Sequence, residues 1–166
     1  MPPKKNLKLL VKNIFTIAVV LALLFGIYAW FYARSPEKAA ENHAPAFSKA
    51  IVEIGGREIS VEIVDEPDEQ VQGLSGREGL AEDEGMLFVF ERPGFYKFWM
   101  KGMRFALDLV WIGADWKIVG VSRNVLPESY PGAILPPARA QYVLELGAGL
   151  AAKYGLKPGD NVILKP

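Results

Sequence analysis

The sequence has no cysteine and a single histidine. Without thiols it can form no disulfide framework, thiolate nucleophile, thiolate zinc site or CxxC redox pair. A lipid anchor built on an N-terminal cysteine is excluded for the same reason. His43 sits in a polar stretch with Ala and Pro and has no second histidine to pair with. It reads as a solvated linker residue, and histidine-dependent triads and HExxH metal sites cannot be assembled in a folded domain. Net charge is also lacking, with nineteen Lys and Arg against nineteen Asp and Glu. That balance hides an asymmetry: residues 1–46 hold six basic and two acidic residues, residues 47–166 thirteen and seventeen. A mildly acidic domain has no electrostatic footprint for a phosphate backbone, so no nucleic-acid partner is expected.

What the first third does have is one long apolar run. Ile14 to Ala33 is twenty residues without a charge. At about 1.5 Å per residue, a helix of that length reaches roughly 30 Å, the thickness of a hydrocarbon core. Lys4, Lys5, Lys8 and Lys12 precede it, while Arg34 and Lys38 are mixed with Glu37 and Glu41 after it. This bias keeps the N-terminus in the cytoplasm. Tyr28, Trp30, Phe31 and Tyr32 gather at the exit end, where amphipathic rings favour the interface. A cleaved signal peptide would have a shorter apolar region and small residues directly after it, where this chain has bulky aromatics. The expected organisation is therefore a cytoplasmic basic tail (1–13), a transmembrane anchor (14–33), a polar linker (34–46) and an extracytoplasmic domain (47–166) at the cell membrane.

The domain reads as mainly β, a sandwich or barrel-like fold with one or two short helices. Ser48 to Ile54 and Arg57 to Val64 flank Gly55-Gly56, a two-residue hairpin signal. Pro67 to Leu74 has Pro in its first turn and acids facing the N-terminal dipole, which predicts a short helix. Met86 to Phe90, Tyr96 to Met100 and Leu107 to Ile112 are apolar enough for central strands. Lys117 to Val125, Gln141 to Leu146 and Val162 to Leu164 supply further strands, and Gly149 to Tyr154 a helical turn.

The run FWMKGMRFALDLVWI, Phe98 to Ile112, resembles the core element of domain-of-unknown-function family 192. Gly73-Leu74-Ser75-Gly76-Arg77, Gly85-Met86-Leu87-Phe88, and Tyr142-Val143-Leu144-Glu145 followed by Gly149 and Gly159-Asp160 resemble its other elements, in order. Gly102 stands where that family usually has Asn or Asp, and Ala106 where it usually has Pro. The resemblance implies a small β-rich extracytoplasmic domain and no established activity.

Asp108 is the most unusual residue, a carboxylate whose neighbours Leu107, Leu109, Val110, Trp111 and Ile112 are apolar on both faces. A buried carboxylate needs a cation or several donors, or it neutralises. Lys101, Arg104 and Arg77 are candidate partners, and backbone N–H groups the structural alternative. Glu145 repeats the pattern in YVLEL. Arg77, Trp99, Lys101, Asp108 and Glu145 thus form the candidate ligand-binding or buried polar cluster, with no catalytic residue assigned. Met86, Met100 and Met103 with Trp99 could offer thioether ligands to Cu(I), but core packing explains them more simply, and no metal or cofactor is expected. Gly73, Gly76 and Gly79 lack the Lys-Ser/Thr ending of a phosphate loop and read as a helix exit. Aromatics around Phe95 to Trp111 could line a groove for a sugar, peptide or headgroup. The preferred reading is a non-catalytic binding module for an envelope ligand or protein partner. The alternatives are a hydrolase using Asp108 and Glu145 as acid and base, and a structural domain of a membrane complex.

Overall fold

The computed structural model describes residues 21–30 and 47–165, which fall in separate compact units. Residues 21–30 form helix α1. Its Leu21, Leu23, Leu24, Phe25, Ile27 and Trp30 are all more than half exposed. The expected span from Ile14 to Ala33 coincides with the described residues only there. Among the described residues no helix is long and apolar enough to cross a membrane. The basic tail, the linker and His43 lie outside the described residues.

In the second unit the strands are β1 (Ser48–Ile54), β2 (Arg57–Val64), β3 (Glu84–Gly94), β4 (Leu107–Ile112), β5 (Ile118–Val125), β6 (Ala140–Gly147) and β7 (Val162–Lys165). They form one sheet in the order β5-β4-β6-β3-β2-β1-β7. Gly55 and Gly56, at φ of 57° and 70°, make the left-handed turn that lets β1 fold back on β2. The β2–β3 pair is parallel and needs a crossover. Helix α2 (Pro67–Gln72) lies in that crossover and ends where Gly73 takes a φ of 48°. Helix α3 (Leu150–Lys153) follows β6.

The first and last strands of that order meet at one corner. Trp116 and Ile118 share backbone hydrogen bonds with Val162, Asp160 and Gly159 at 2.8 to 2.9 Å. The sheet is therefore curled into a half-barrel, and a β-sandwich is ruled out because there is one sheet where a sandwich needs two. Its concave core draws on all seven strands, through residues such as Val52, Ile59, Leu87, Val110, Ile118, Leu144 and Val162, and α3 adds Leu150 and Ala151. The outer face carries a second core of Met86, Phe88, Leu109, Trp111 and Val143.

That second core is covered by the segment from Phe95 to Ala106. Tyr96 to Met100 does not form the expected strand; among the described residues its ladder pairing is one isolated bridge, Phe98 with Ile134. The alternation that predicted a strand is present, with Phe98 and Met100 buried and Phe95 and Trp99 exposed. What is missing is a neighbouring ladder.

Asp108 points to the concave side, the side of Val110 and Ile112. It is fully buried. Its Oδ1 accepts the Asn124 N–H at 2.7 Å and its Oδ2 the Ala151 N–H at 2.8 Å. The first bond holds the register shift between β4 and β5, where Asn124 adopts a φ of 51°. The second satisfies one of the orphan donors in the first turn of α3. The expected cationic partners are elsewhere: Arg104 pairs with Glu78, and Arg77 with Glu62. Asp108→Ala would orphan the buried Ala151 N–H and remove the acceptor of the part-buried Asn124 N–H, and should lower stability by about 3 kcal/mol in urea denaturation. A loss below about 1 kcal/mol would mean that neither bond matters to the fold.

Candidate functional site

On the outer face, α2 with its exit and the Phe95–Ala106 segment stand apart over β3 and β6. Between them is a cavity of about 280 Å³. Gln70, Leu74 and Ser75 line one wall and Tyr96, Phe98, Trp99 and Met103 the other, while Phe88 and Glu145 come from the strands beneath. An adjoining recess of about 560 Å³ shares Gln70, Phe90 and Tyr96 and adds Asp65, Glu66, Glu91 and Arg92.

The walls are fixed by short-range bonds. Gln70 donates its side-chain amide to the Val89 carbonyl at 3.0 Å, tying α2 to β3. Across the gap, the Ser75 hydroxyl donates to the Lys101 carbonyl at 2.9 Å and the Gly76 N–H to the Gly102 carbonyl at 2.9 Å. Gly102 has a φ of 71°. Left-handed backbone is what Gly, Asn and Asp tolerate best, so the departure at this position preserves the conformation. The rings lock one another: Phe90 stacks on Tyr96 at 3.6 Å, and Phe98 meets Phe88 edge-on at 4.9 Å and Trp111 at 5.4 Å.

Glu145 sits opposite Met86 on β3 and Leu109 on β4, among apolar side chains of the outer core. It is only 6% exposed. No hydrogen bond or ion pair reaches its side chain among the described residues. Every fully buried side-chain nitrogen and oxygen of the described residues has a partner. An unpartnered Glu145 carboxyl must therefore keep contact with open space, which is the cavity. Burial pushes its pKa up to about 8.

Of the five residues singled out from sequence, the cavity gathers two, Trp99 and Glu145. Asp108 is on the other face of the sheet. It pairs with Leu146 while Glu145 pairs with Leu109, and adjacent positions alternate in direction. The two carboxyls cannot share a cleft, and the acid–base pair proposed for hydrolysis does not exist. Arg77 makes a two-pronged bond to Glu62 at 2.9 and 2.5 Å and lies 5.8 Å from the Phe47 ring centre. That bond holds the Glu62 carboxyl below its ordinary range. Lys101 contributes its carbonyl to the wall, and the lysine that lines the cavity is Lys97. Met86 and Met100 are buried in the outer core and Met103 alone of the three lines the cavity, so the thioethers do not converge on it as a ligand set. Tyr96 and Phe98 belong to the aromatic stretch from Phe95 to Trp111 considered as a groove lining, whereas Phe88 and Phe90 escape sequence reasoning as site residues.

A carboxyl with a raised folded-state pKa binds its proton more tightly folded than unfolded. Above about pH 4.5 the unfolded chain ionises Glu145 while the folded protein does not, so this residue's contribution to stability falls until about pH 8. The penalty at pH 7 is roughly 3 kcal/mol. Glu145→Gln should raise the urea midpoint at pH 7 and flatten the wild-type decline between pH 5 and 8. Parallel pH profiles for the two proteins would show that Glu145 is not the group responsible.

Comparison with other proteins places this geometry in a family. No curated protein matches the chain. Two crystal structures share its fold. A protein from Sinorhizobium meliloti 1021, named as a candidate transcription regulator, is 32% identical, with a TM-score of 0.69 over 74% of this chain and 98% of its own. A protein of unknown function from Novosphingobium aromaticivorans DSM 12444 is 31% identical, with a TM-score of 0.65 over 75% of this chain and 96% of its own. The profile of domain-of-unknown-function family 192, described as Uncharacterized ACR, matches residues 50–164, and the chain belongs to that family.

Proposed function

We propose that this protein is a membrane-tethered ligand-binding module, with its domain on the extracytoplasmic side and its ligand seated in the cavity between α2 and the Phe95–Ala106 segment. The observation that carries this reading is Glu145. A carboxyl that is 94% buried with no partner costs stability, and the fold would be improved by an apolar residue there. Such a cost is retained where the group meets something outside the protein. The surrounding rings supply the apolar contact area typical of small-molecule sites, and the walls are already in place.

The cavity holds one carboxyl, with no second carboxylate or histidine in its lining, and the Ser75 and Tyr96 hydroxyls there donate to the Lys101 and Arg92 carbonyls. Binding without chemistry is therefore the simpler reading. The tether rests on the charge-free stretch from Ile14 to Ala33 and on the exposed apolar side chains of α1. The name of the Sinorhizobium meliloti protein does not carry over as a DNA-binding role, because residues 47–166 have more acidic than basic residues.

Titration of isotopically labelled protein with panels of small amines, oligosaccharides and peptides should shift resonances of Leu74, Phe98, Trp99 and Glu145 together. Trp99→Ala should weaken any such binding by roughly tenfold, as expected for an aromatic contact. Panels that leave these resonances unmoved would remove the binding reading. The full chain should stay with membranes after an alkaline wash, whereas residues 47–166 alone should be released; retention of the shorter chain would count against the tether.

A further inference from the structure

We propose that the cavity binds a small alkylammonium group, its N–H bonds directed to the Glu145 carboxylate and its carbon chain held against the rings of Phe88, Phe98 and Trp99. This rests on the binding reading and names the chemistry of the ligand. Gln70 is committed to the Val89 carbonyl, Ser75 to the Lys101 carbonyl, and the Tyr96 hydroxyl to the Arg92 carbonyl at 2.7 Å. Gln72 and Lys97 line the cavity but are exposed. The donors of Gln70, Ser75 and Tyr96 are thus spent, and a ligand that reaches the base meets acceptor oxygens, foremost the Glu145 carboxyl, inside an aromatic enclosure.

Three ligand classes respond differently to that enclosure. An anion would face the carboxyl and the negative faces of the rings. A polyhydroxylated neutral ligand would leave most of its hydroxyls unpaired against apolar walls. An alkylammonium satisfies the carboxylate with charge-assisted hydrogen bonds, and the ring faces attract it. The approach has the same sign: the adjoining recess carries Asp65, Glu66 and Glu91 against Arg92. With about 280 Å³ available, the cavity suits an amine of a few carbons.

Binding of a cation requires Glu145 to be ionised. Near pH 7 most of the protein holds Glu145 protonated, since burial sets its pKa at about 8. The amine must therefore displace a proton, which couples affinity to pH. From β3 the carboxyl faces Met86 and Phe88, from β4 Leu109, and from the α2 exit Leu74 and Ser75. The Phe95–Ala106 segment contributes Tyr96 and Lys97 as its titratable or charged side chains in the cavity. Further along β3, Glu84 accepts the Ala81 N–H and lines a separate crevice.

The test uses the full-length chain in a nonionic detergent, titrated calorimetrically and by Trp fluorescence with n-butylammonium, n-butanol and butyrate. Butylammonium should bind best and gain roughly tenfold in affinity from pH 6 to pH 7, releasing close to one proton at pH 7 when two buffers of different ionisation enthalpy are compared. Glu145→Gln should abolish the preference, the pH slope and the proton release while still binding n-butanol, which shows that the cavity is intact. Trp99→Ala should weaken butylammonium and keep the pH slope. Binding of n-butanol or butyrate as tightly as butylammonium would overturn the ammonium assignment and leave the cavity a binding site. Proton release that survives in Glu145→Gln would overturn it as well. Silence toward all three probes also overturns it, and the broader panels above decide separately whether the cavity binds anything.

Discussion

Strand β6 runs between β4 and β3, and Val143 to Leu146 are buried whichever way they point. That double burial is the constraint on which the rest of the molecule depends. The sheet curls, so one face becomes the inside of a half-barrel. The other face cannot be left to solvent, because it carries Trp111, Phe88 and Met86. Covering it demands the crossover with α2 on one side and the extended Phe95–Ala106 segment on the other. Where those two covers fail to meet, a cavity remains over β3 and β6.

Within this doubly buried region the sequence places two carboxyls on adjacent strands, and the fold treats them in opposite ways. Asp108 receives two backbone N–H groups, one from a register shift and one from the buried start of a helix, where no solvent would replace it. Its burial therefore removes orphan donors as well as hiding a charge, and the net effect is stabilising. Glu145 receives nothing. A penalty of roughly 3 kcal/mol is a large fraction of the 5–15 kcal/mol that typically separates folded from unfolded chains. The contrast separates a partnered acid from an unpartnered one more sharply than burial alone, because both residues are almost completely hidden.

The strands were legible because their signals are local. The hairpin at Gly55-Gly56, the bounds of β1, β2 and β4, and the Pro-initiated α2 all follow from turn chemistry and apolar runs within a few residues. Tyr96 to Met100 was misread for a physical reason: alternation reports which side chains turn inward and says nothing about whether a neighbouring strand exists. The site was harder still. Whether Asp108 and Glu145 share a face depends on the β4–β6 register, which pairs residues almost forty positions apart. A shift of one residue would have put them together. Arg77 and Lys101 were drawn in by charge complementarity, but Arg77 found a nearer carboxylate in Glu62 and Lys101 serves through its backbone. Trp99 and Glu145 were recoverable, one as an exposed aromatic in a core motif, the other as a charge in an apolar strand.

If the cavity binds a ligand as proposed, its selectivity rests on how firmly that one carboxyl is surrounded. Gln70 fixes α2 to the sheet, and two bonds from the α2 exit fix the opposite wall through a left-handed turn at Gly102. Stacked and edge-on rings leave the aromatic side chains little freedom to turn toward a ligand. In the proposed role, walls held in this way bring few new polar groups to an unsuitable guest, so the guest would have to supply what Glu145 lacks. Preorganisation also lowers the ordering cost that a flexible pocket would bear on binding. The same bonds that make the outer cover possible would then also limit the chemistry the cavity admits. A fold that covers both faces of β6 leaves a gap over β3 and β6, and in the proposed role Glu145 in its lining decides which ligands fill it.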